Sequence, residues 1–252
     1  TVSDDEGIKN DLVKTITVTL VVSDADKTIV GDATEADLAG LGVNKNVLIT
    51  GNLTVDNTLN LEAGTTVTVE GDVDMNAALT GTGKLVVKGT TTVANSLAIG
   101  ADVDTGALVF EGTATVSVSR TVNVTDEDVT VTLAGTTTVD GNLNIPNGTL
   151  VLNGQTLNGT GGVVDVDKVH LGSKISGTVT VNANSAVLVD DFTIDGGTLN
   201  VATDVADETA GTATITVSGQ GGLTVTGTIN GDLSVTSDAS GDGTVGAVNG
   251  NV

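Results

Sequence analysis

Apolar and polar residues alternate with a period of two along most of the chain, in short stretches separated by glycine. Four stretches share the pattern apolar-x-Gly-Thr-x-Thr-Val, and they cover residues 87–93, 110–116, 133–139 and 175–181. Successive side chains of a strand point to opposite faces. Each stretch therefore predicts a short strand: in the first copy Thr91 and Val93 are expected to face inward, and Thr90 and Thr92 outward.

The glycines of these copies recur at a spacing that is too regular for unrelated strands. Gly89, Gly112 and Gly135 are 23 residues apart, and Gly177 follows 42 residues later. Short strands and glycine corners with a period in the low twenties are typical of a solenoid. We predict an all-β protein, a parallel β-solenoid (β-helix) of roughly 8–9 coils, with regular coils over residues 47–235. The alternative is tandem β-sandwich domains, whose turn signals have a similar spacing.

The first 46 residues differ from the repeats. Residues 12–22 form one long predicted strand with Ile16, Val18, Leu20 and Val22 on one face. Thr34 and Asp37 then resemble a capped helix start, which predicts a short helix over 34–41. We expect residues 1–46 to be an N-terminal strand and cap, and residues 47–252 to be the solenoid with a Gly-rich C-terminal tail.

Composition and charge exclude several classes of protein. There is no Cys, one His, and nine Lys and Arg against 32 Asp and Glu, a net charge of −23. Nucleic-acid binding is not expected, because little in the chain neutralises phosphates, and no apolar run is long enough for membrane insertion. The chain starts at Thr1 without an initiator Met or an apolar leader. That fits an extracellular, secreted product with its signal removed, although a trimmed chain would look the same.

Catalytic equipment is sparse. Carboxylates for glycosidase chemistry are present, but the chain has no Trp or Tyr to stack on sugar rings and only Arg120 to supplement its lysines. His170, between Val169 and Leu171, has the pattern of a strand residue. We expect no enzyme activity and no required cofactor.

Acidic clusters are the candidate metal ligands. Paired carboxylates at a loop suit Ca²⁺, and the first choices are Asp126, Glu127, Asp128, Asp190, Asp191 and Asp195. None of them matches a known calcium-loop motif, and the alternative interpretation is solubilising charge at the corners. In a secreted protein, the Asn-x-Ser/Thr sequons would also be candidate glycan acceptors, at Asn52, Asn123, Asn147 and Asn158.

The outward threonines suggest a second type of surface. The pairs Thr90/Thr92, Thr113/Thr115, Thr136/Thr138 and Thr178/Thr180 are expected at equivalent places on successive coils. Such a Thr-x-Thr array resembles the ice-binding face of β-solenoid antifreeze proteins, although Thr is also a good outward strand residue in any sheet.

At the level of architecture, the chain resembles prokaryotic extracellular surface proteins: filament subunits, surface-layer proteins and adhesin stalks. Residues 148–159 (GTLVLNGQTLNG) have the appearance of their repeats. The resemblance implies a structural, self-associating protein of a cell-surface filament or array. The alternatives are an adhesin stalk or an ice-binding solenoid.

Assembly is expected to be head to tail between copies of the chain. We predict that strand 12–22 pairs with the exposed C-terminal edge of the next copy, which grows a filament because the contact does not close. The C-terminal residues predicted to take part are Leu223, Val225, Ile229, Leu233 and Val235. The alternative is that the same strand folds back on its own solenoid.

Overall fold

Short parallel strands wind around three sides of a rod. The structure is a computed structural model, and it describes residues 25–111, 115–209, 213–230, 233–237 and 244–245. Strands pair with others about one turn away along the chain, as Val47 of one strand does with Val67 of another. The protein is a parallel β-solenoid with almost no helix, which confirms the predicted fold class.

Within the described ranges the chain forms 28 strands and one 3₁₀ helix, Glu35–Leu38. The strands of the N-terminal half are β1 (Lys27–Ile29), β2 (Ala33–Thr34), β3 (Asn46–Ile49), β4 (Leu53–Val55), β5 (Leu59–Leu61), β6 (Thr66–Val69), β7 (Val73–Met75), β8 (Leu79–Gly81), β9 (Lys84–Val93), β10 (Leu97–Ile99), β11 (Asp102–Phe110), β12 (Val116–Val118), β13 (Thr121–Val124) and β14 (Thr130–Thr132). Those of the C-terminal half are β15 (Thr137–Val139), β16 (Asn142–Val151), β17 (Thr156–Asn158), β18 (Val163–Leu171), β19 (Lys174–Ser176), β20 (Thr180–Leu188), β21 (Phe192–Asp195), β22 (Thr198–Val201), β23 (Asp204–Asp207), β24 (Ala213–Ser218), β25 (Gly222–Val225), β26 (Thr228–Asn230), β27 (Leu233–Ser237) and β28 (Thr244–Val245).

We name the faces side 1, side 2 and side 3 in the order in which the chain visits them. Side 1 holds β1, β3, β6, β13, β22, β25 and β28, and side 2 holds β2, β4, β7, β14, β23 and β26. The long strands β9, β11, β16, β18 and β20 run from side 1 onto side 2. Side 3 is a separate sheet of β5, β8, β10, β12, β15, β17, β19, β21, β24 and β27.

The rod has about eleven turns, where the sequence predicted 8–9. Many turns are shorter than the 23-residue glycine spacing: the stacked residues Val47 and Val67 are 20 apart, and Val164 and Val181 are 17 apart, whereas Leu199 and Leu223 are 24 apart. The strands also begin earlier, because β1 pairs with β3 and β2 with β4. Residues 27–34 therefore lie in the first turn of the solenoid, within the region that we expected to be a cap.

Aliphatic side chains fill the interior in columns that run from turn to turn. The register of side 1 stacks Val47, Val67, Leu85, Val103, Val122, Leu143, Val164, Val181, Leu199 and Leu223. Each of these residues is 2% exposed or less. Full burial of such a side chain stabilises the fold by about 1.5–3 kcal/mol. A single turn has no partner for its apolar face, so the stacking of turns creates the core.

Two threonines point into this core and satisfy each other. Thr91 and Thr105 are buried, and the Thr91 hydroxyl donates to Oγ1 of Thr105 at 2.9 Å. The Thr105 hydroxyl donates onward to the carbonyl oxygen of Ala107 at 2.8 Å. Paired in this way, the two hydroxyls avoid the cost of an unsatisfied buried polar group.

The three glycine-threonine copies that the structure describes in full lie on different sides of the rod. The copy at Gly89 lies in β9 on side 2, the copy at Gly135 leads into β15 on side 3, and the copy at Gly177 leads into β20 on side 1. The prediction of an in-register Thr-x-Thr array is therefore wrong: Thr92 pairs with Asp74, and Thr138 with Ser117. A corner followed by a half-buried strand is needed on every side, so the same motif serves all three.

A Gly-Asx pair builds the corner between sides 1 and 2 in the first turns. The pairs recur every 20 residues, as Gly31-Asp32, Gly51-Asn52 and Gly71-Asp72. The Asp32 carboxylate accepts the N–H of Asn52, and the Asn52 side chain accepts the N–H of Asp72, both at 2.9 Å. A Cβ on Gly51 would lie 2.4 Å from the carbonyl carbon of Gly31, so this corner has no room for a side chain. The 20-residue spacing is the sequence signal that matches the length of these turns.

Candidate assembly surfaces

A row of Asp and Asn side chains runs along the outer face of side 1, one from each of six successive turns. We call it the amide ladder, and its members are Asp104, Asn123, Asn144, Asp165, Asn182 and Asn200. Each follows one inward residue and precedes another, as Asn123 does between Val122 and Val124. An Asx between two inward residues, apolar at every member except Thr105, is thus the sequence signal for the ladder, and neither the glycine spacing nor the acidic clusters pointed to it.

Hydrogen bonds connect the ladder from turn to turn. Nδ2 of Asn123 donates to Asp104 at 2.7 Å, and Nδ2 of Asn144 donates to Oδ1 of Asn123 at 2.7 Å. The C-terminal part repeats the arrangement at 2.8 Å, from Asn182 to Asp165 and from Asn200 to Asn182. Lys84 adds an ion pair with Asp104. Each of these hydrogen bonds stabilises the stacking of turns by about 0.5–1.5 kcal/mol.

A shallow hollow of about 350 Å³ borders the ladder. Its lining includes Asp104, Asn123, Asn144 and Pro146. Both ends of the Asn123 amide are already used by its neighbours in the ladder. The Asn123 side chain is therefore engaged within the rod, and we interpret the ladder as part of the scaffold.

The first turn carries the predicted helix start in a shorter form. The helix spans Glu35–Leu38, and Leu38 is buried in the core. The Asp37 carboxylate accepts the N–H of Thr34 at 2.9 Å and its hydroxyl at 3.2 Å. These two hydrogen bonds, the backbone one above all, hold the pKa of Asp37 below its ordinary value. The predicted capping pair is present, but the helix ends before residue 41.

Glu35 links this helix to the second turn. Its carboxylate accepts the side-chain amide of Asn57 at 2.6 Å and the N–H of Asp56 at 3.1 Å. Those donors, the Asn57 amide first, lower the pKa of Glu35. The same end of the rod has an ion pair between Lys45 and Asp26 at 3.7 Å.

An open groove of about 510 Å³ lies beside this helix at the N-terminal end of side 3. Its walls are residues 35–43 and strand β5, and they contribute the apolar side chains of Leu38, Leu41, Val43, Leu59 and Leu61. Glu35 and Glu62 also line it. Among the described strands, β5 pairs only with β8, so its other edge faces the groove.

The C-terminal end also presents strand edges. Among the residues that the structure covers, β27 pairs only with β24, and β26 only with β23, while β28 pairs with β25. Of the predicted assembly residues, Leu223, Val225 and Ile229 are buried in the rod's own core, and Val235 packs against it. Leu233 lies in β27 opposite Ala213. The backbone edges of this end, not its apolar side chains, are therefore what another copy would meet.

The predicted strand 12–22, with Ile16, Val18, Leu20 and Val22, lies outside the described residues. Its pairing partner stays a prediction.

The candidate calcium ligands fall in two separate places. Residues 126–128 form an exposed corner between β13 and β14, and the second cluster surrounds β21. In that second cluster Asp191 accepts the N–H of Thr214 at 2.9 Å, and Asp195 pairs with Lys174 at 2.6 Å. No three His, Cys, Asp or Glu side chains of the described ranges are grouped to hold a metal ion.

The four sequon asparagines differ in how far their side chains are engaged. Asn52 and Asn147 are exposed at corners. The amide nitrogen of Asn123 belongs to the ladder, and Asn158 accepts the hydroxyl of Ser176 at 3.3 Å. A glycan on Asn123 would break the ladder, because its Nδ2 is the donor. Asn52 and Asn158 use only Oδ1, as acceptors for Asp72 and Ser176, so their Nδ2 atoms are not engaged by these contacts.

His170 lies in β18 on side 2, half-buried and in register with Val151 and Val187. Apolar residues therefore flank it in the turns on either side. No helix in the part of the chain described here is long and apolar enough to cross a membrane.

Comparison of the chain with protein-family models, curated proteins and solved structures finds no match. Its function must therefore be inferred from the faces and ends of the rod itself.

Proposed function

We propose that this protein is an extracellular structural subunit that assembles head to tail into a filament or surface array through residues 12–22. The observation that carries the proposal is that the rod's two ends differ and both present strand edges. These are β5 beside the groove at one end, and β26 and β27 at the other, among the described strands.

Unpaired strand edges are templates for pairing with another chain. Solenoids need capping units at both ends to remain separate molecules. Because the two ends of this rod are not the same surface, a contact between them is heterologous and repeats without closing. Strand addition of this kind takes its affinity from main-chain hydrogen bonds.

The long faces of the rod favour contacts at the ends over contacts along the sides. On side 1 the polar groups bond to each other along the ladder, as Asn123 does with Asp104. The net charge of −23 also makes copies repel when they lie side by side. End contacts bring less of this charge together, since each end is one turn across.

Deletion of residues 1–22 tests the proposal. We expect a folded, soluble protein that forms no filaments, and filaments should return when the peptide is fused back. Electron microscopy and light scattering measure assembly, and circular dichroism measures folding. Filaments that persist without the segment would exclude it as the assembly element.

A pair of substitutions in the full-length chain supplies the matched control. Ile16→Asp places a charge on the predicted apolar face of the strand, and Thr17→Asp places the same charge on the opposite face. We expect assembly to be lost in the first variant and retained in the second. Equal behaviour of the two would contradict a strand that binds by one face.

A further inference from the structure

We propose that Asn153 is a site of spontaneous deamidation, at which the folded rod converts one asparagine into a mixture of aspartate and isoaspartate. The reactive pair is Asn153-Gly154, at the corner between β16 and β17. The proposal does not rest on the proposed function, because it involves one corner of one chain and no second copy.

The reaction needs an asparagine, an unhindered following residue and water. The backbone nitrogen of residue 154 attacks Cγ of Asn153. A C–N bond forms, the Cγ–Nδ2 bond breaks, and the proton of the attacking nitrogen leaves with Nδ2 as ammonia. Water then opens the resulting succinimide ring at Cγ, which gives aspartate, or at the main-chain carbonyl, which gives isoaspartate. Asparagine is among the thermolabile residues, and glycine hinders the attack least because it has no Cβ.

Three Asn-Gly pairs lie in the described ranges, and only one of them is open. The pairs are Asn147-Gly148, Asn153-Gly154 and Asn158-Gly159, and of their glycines only Gly154 is exposed. A Cβ on Gly148 would lie 2.4 Å from the carbonyl oxygen of Val129, and a Cβ on Gly159 would lie 2.0 Å from that of Val139. A Cβ on Gly154 would have no neighbour within 4 Å. Its peptide group therefore has room to move.

The open pair forms a turn that leaves the attacking nitrogen unused. Asn153 and Gly154 have φ values of 52° and 71°. The N–H of Gln155 donates to the carbonyl of Leu152 at 2.8 Å and closes the turn. Two positive φ values at the central positions are characteristic of a type I′ turn. Within the described ranges, no hydrogen bond uses the N–H of Gly154.

The Asn153 side chain is held weakly at the atom that leaves. Its Nδ2 donates to the carbonyl of Leu133 at 3.4 Å, well beyond the commonest N–H···O distance of about 2.9–3.0 Å. Both the nucleophile and the leaving group are thus free of strong contacts.

Bonds to neighbouring turns fix the other two pairs. The Asn147 carbonyl accepts the N–H of Asp128 at 3.0 Å, and the Gly159 carbonyl accepts the N–H of Thr178 at 2.8 Å. The attack requires rotation about the Cα–C bond of the asparagine, which moves the peptide group that follows. At Asn147 and Asn158 this rotation disturbs contacts between stacked turns, whereas at Asn153 it opens the backbone hydrogen bond of the corner itself.

The product adds charge to the rod without disturbing its stacking. Each event replaces a neutral amide by a carboxylate, so the net charge of −23 becomes more negative by one. Isoaspartate also adds one carbon atom to the backbone. Corners already accommodate turns of 17 and 24 residues. We therefore expect the modified protein to keep its fold.

Peptide mapping by mass spectrometry tests the assignment. The full-length protein is incubated at neutral pH in ¹⁸O-labelled water, once folded and once in urea, and the three pairs are compared within each sample. In the folded protein we expect Asn153 to be converted at least about tenfold faster than Asn147 and Asn158, because only its corner opens without loss of core packing. In urea the three rates should converge. Labelled isoaspartate identifies the succinimide route, since direct hydrolysis of the side chain gives aspartate alone.

Two variants complete the test. Gly154→Asn is the matched control: asparagine tolerates a positive φ but hinders the attack, so Asn153 should be converted slowly in both states. Asn153→Asp supplies one product directly and should leave the circular dichroism and the thermal unfolding unchanged.

Three results would overturn the proposal. In the folded protein, Asn147 or Asn158 is converted as fast as Asn153; Asn153 is converted in urea but stays intact in the folded protein; or the product contains no isoaspartate. A loss of stability in Asn153→Asp would contradict the expectation that the modified rod keeps its fold.

Discussion

The narrow interior of the rod restricts which side chains fit at each inward position. Neighbouring turns stack directly on one another, so an inward residue touches its equivalents above and below, as Val116 does between Leu97 and Thr137. Branched aliphatic residues fill that spacing on a pleated surface. The two faces of a strand are consequently unequal: Thr115, one residue away from Val116, is exposed.

Val116→Asp should lower the free energy of unfolding by more than about 3 kcal/mol, because it places an unpaired charge at a fully buried position. Thr115→Asp is the matched control and should change it by less than about 0.5 kcal/mol. Urea denaturation followed by circular dichroism measures both. Similar stabilities of the two variants would mean that the assignment of inward and outward positions is wrong.

Corners impose a different constraint from strands, because there the backbone of one turn approaches the backbone of the next. At Gly51 an added Cβ would meet the backbone of Gly31 and Asp32 within 2.6 Å. The Asx side chain that follows, as at Asn52, bonds to the next turn. In each corner the glycine thus allows the two backbones to approach closely, and the Asx side chain forms the hydrogen bond to the next turn.

Gly51→Ala should destabilise the solenoid by about 1–3 kcal/mol, since the added methyl group overpacks rigid backbone. Gly222→Ala is the control: its Cβ would make ordinary contacts of 3.5–3.6 Å with Thr198. That change should be neutral or stabilise the protein by up to about 1 kcal/mol, because alanine lowers the conformational entropy of the unfolded chain. Thermal and urea unfolding compare the two, and a loss of stability at Gly222 equal to that at Gly51 would contradict the close-approach explanation.

Carboxylates are distributed over the whole molecule, but most of those with a lowered pKa lie at the N-terminal end of the described chain. Four described carboxylates have a lowered pKa: Asp26, Glu35 and Asp37 near the N-terminus, and Asp207. Hydrogen-bond donors are the leading cause in each case, such as the backbone N–H of Asn46 at Asp26. Protonation therefore weakens three of these contacts near the N-terminus and one at Asp207, while it reduces the repulsion from a net charge of −23 everywhere.

Acid should loosen the first turn before the central turns. A carboxylate whose pKa is lowered by folding stabilises the folded state at pH values above its ordinary pKa, which is 3.8 for Asp37 and 4.5 for Glu35. That stability is lost as the pH falls below those values and through the lowered ones. Hydrogen exchange between pH 7 and pH 3, corrected for the intrinsic rate, should show protection lost in residues 25–43 and kept in 142–188. Uniform loss along the rod would contradict this.

Several features followed from the sequence without a structure. Alternation of period two gave the β content and the inward and outward faces, as at Val116 and Thr115, because a strand's side chains must alternate. Repetition with glycine corners predicted the parallel solenoid. Thr34 and Asp37 marked the start of the helix, since capping is a contact between residues three apart. All of these features follow from short sequence patterns and their repetition along the chain.

The stacking of one turn on another was decided only by the tertiary structure. Corners absorb extra residues, so turns of 17 and 24 residues occupy equivalent places, and a copied motif moves from one side to another. The amide ladder and the groove depend on that stacking, since they join residues such as Asn123 and Asn144, or Leu38 and Leu59, from different turns. Strands of nearly the same composition can pair in many registers, and the summed packing of all the turns selects one.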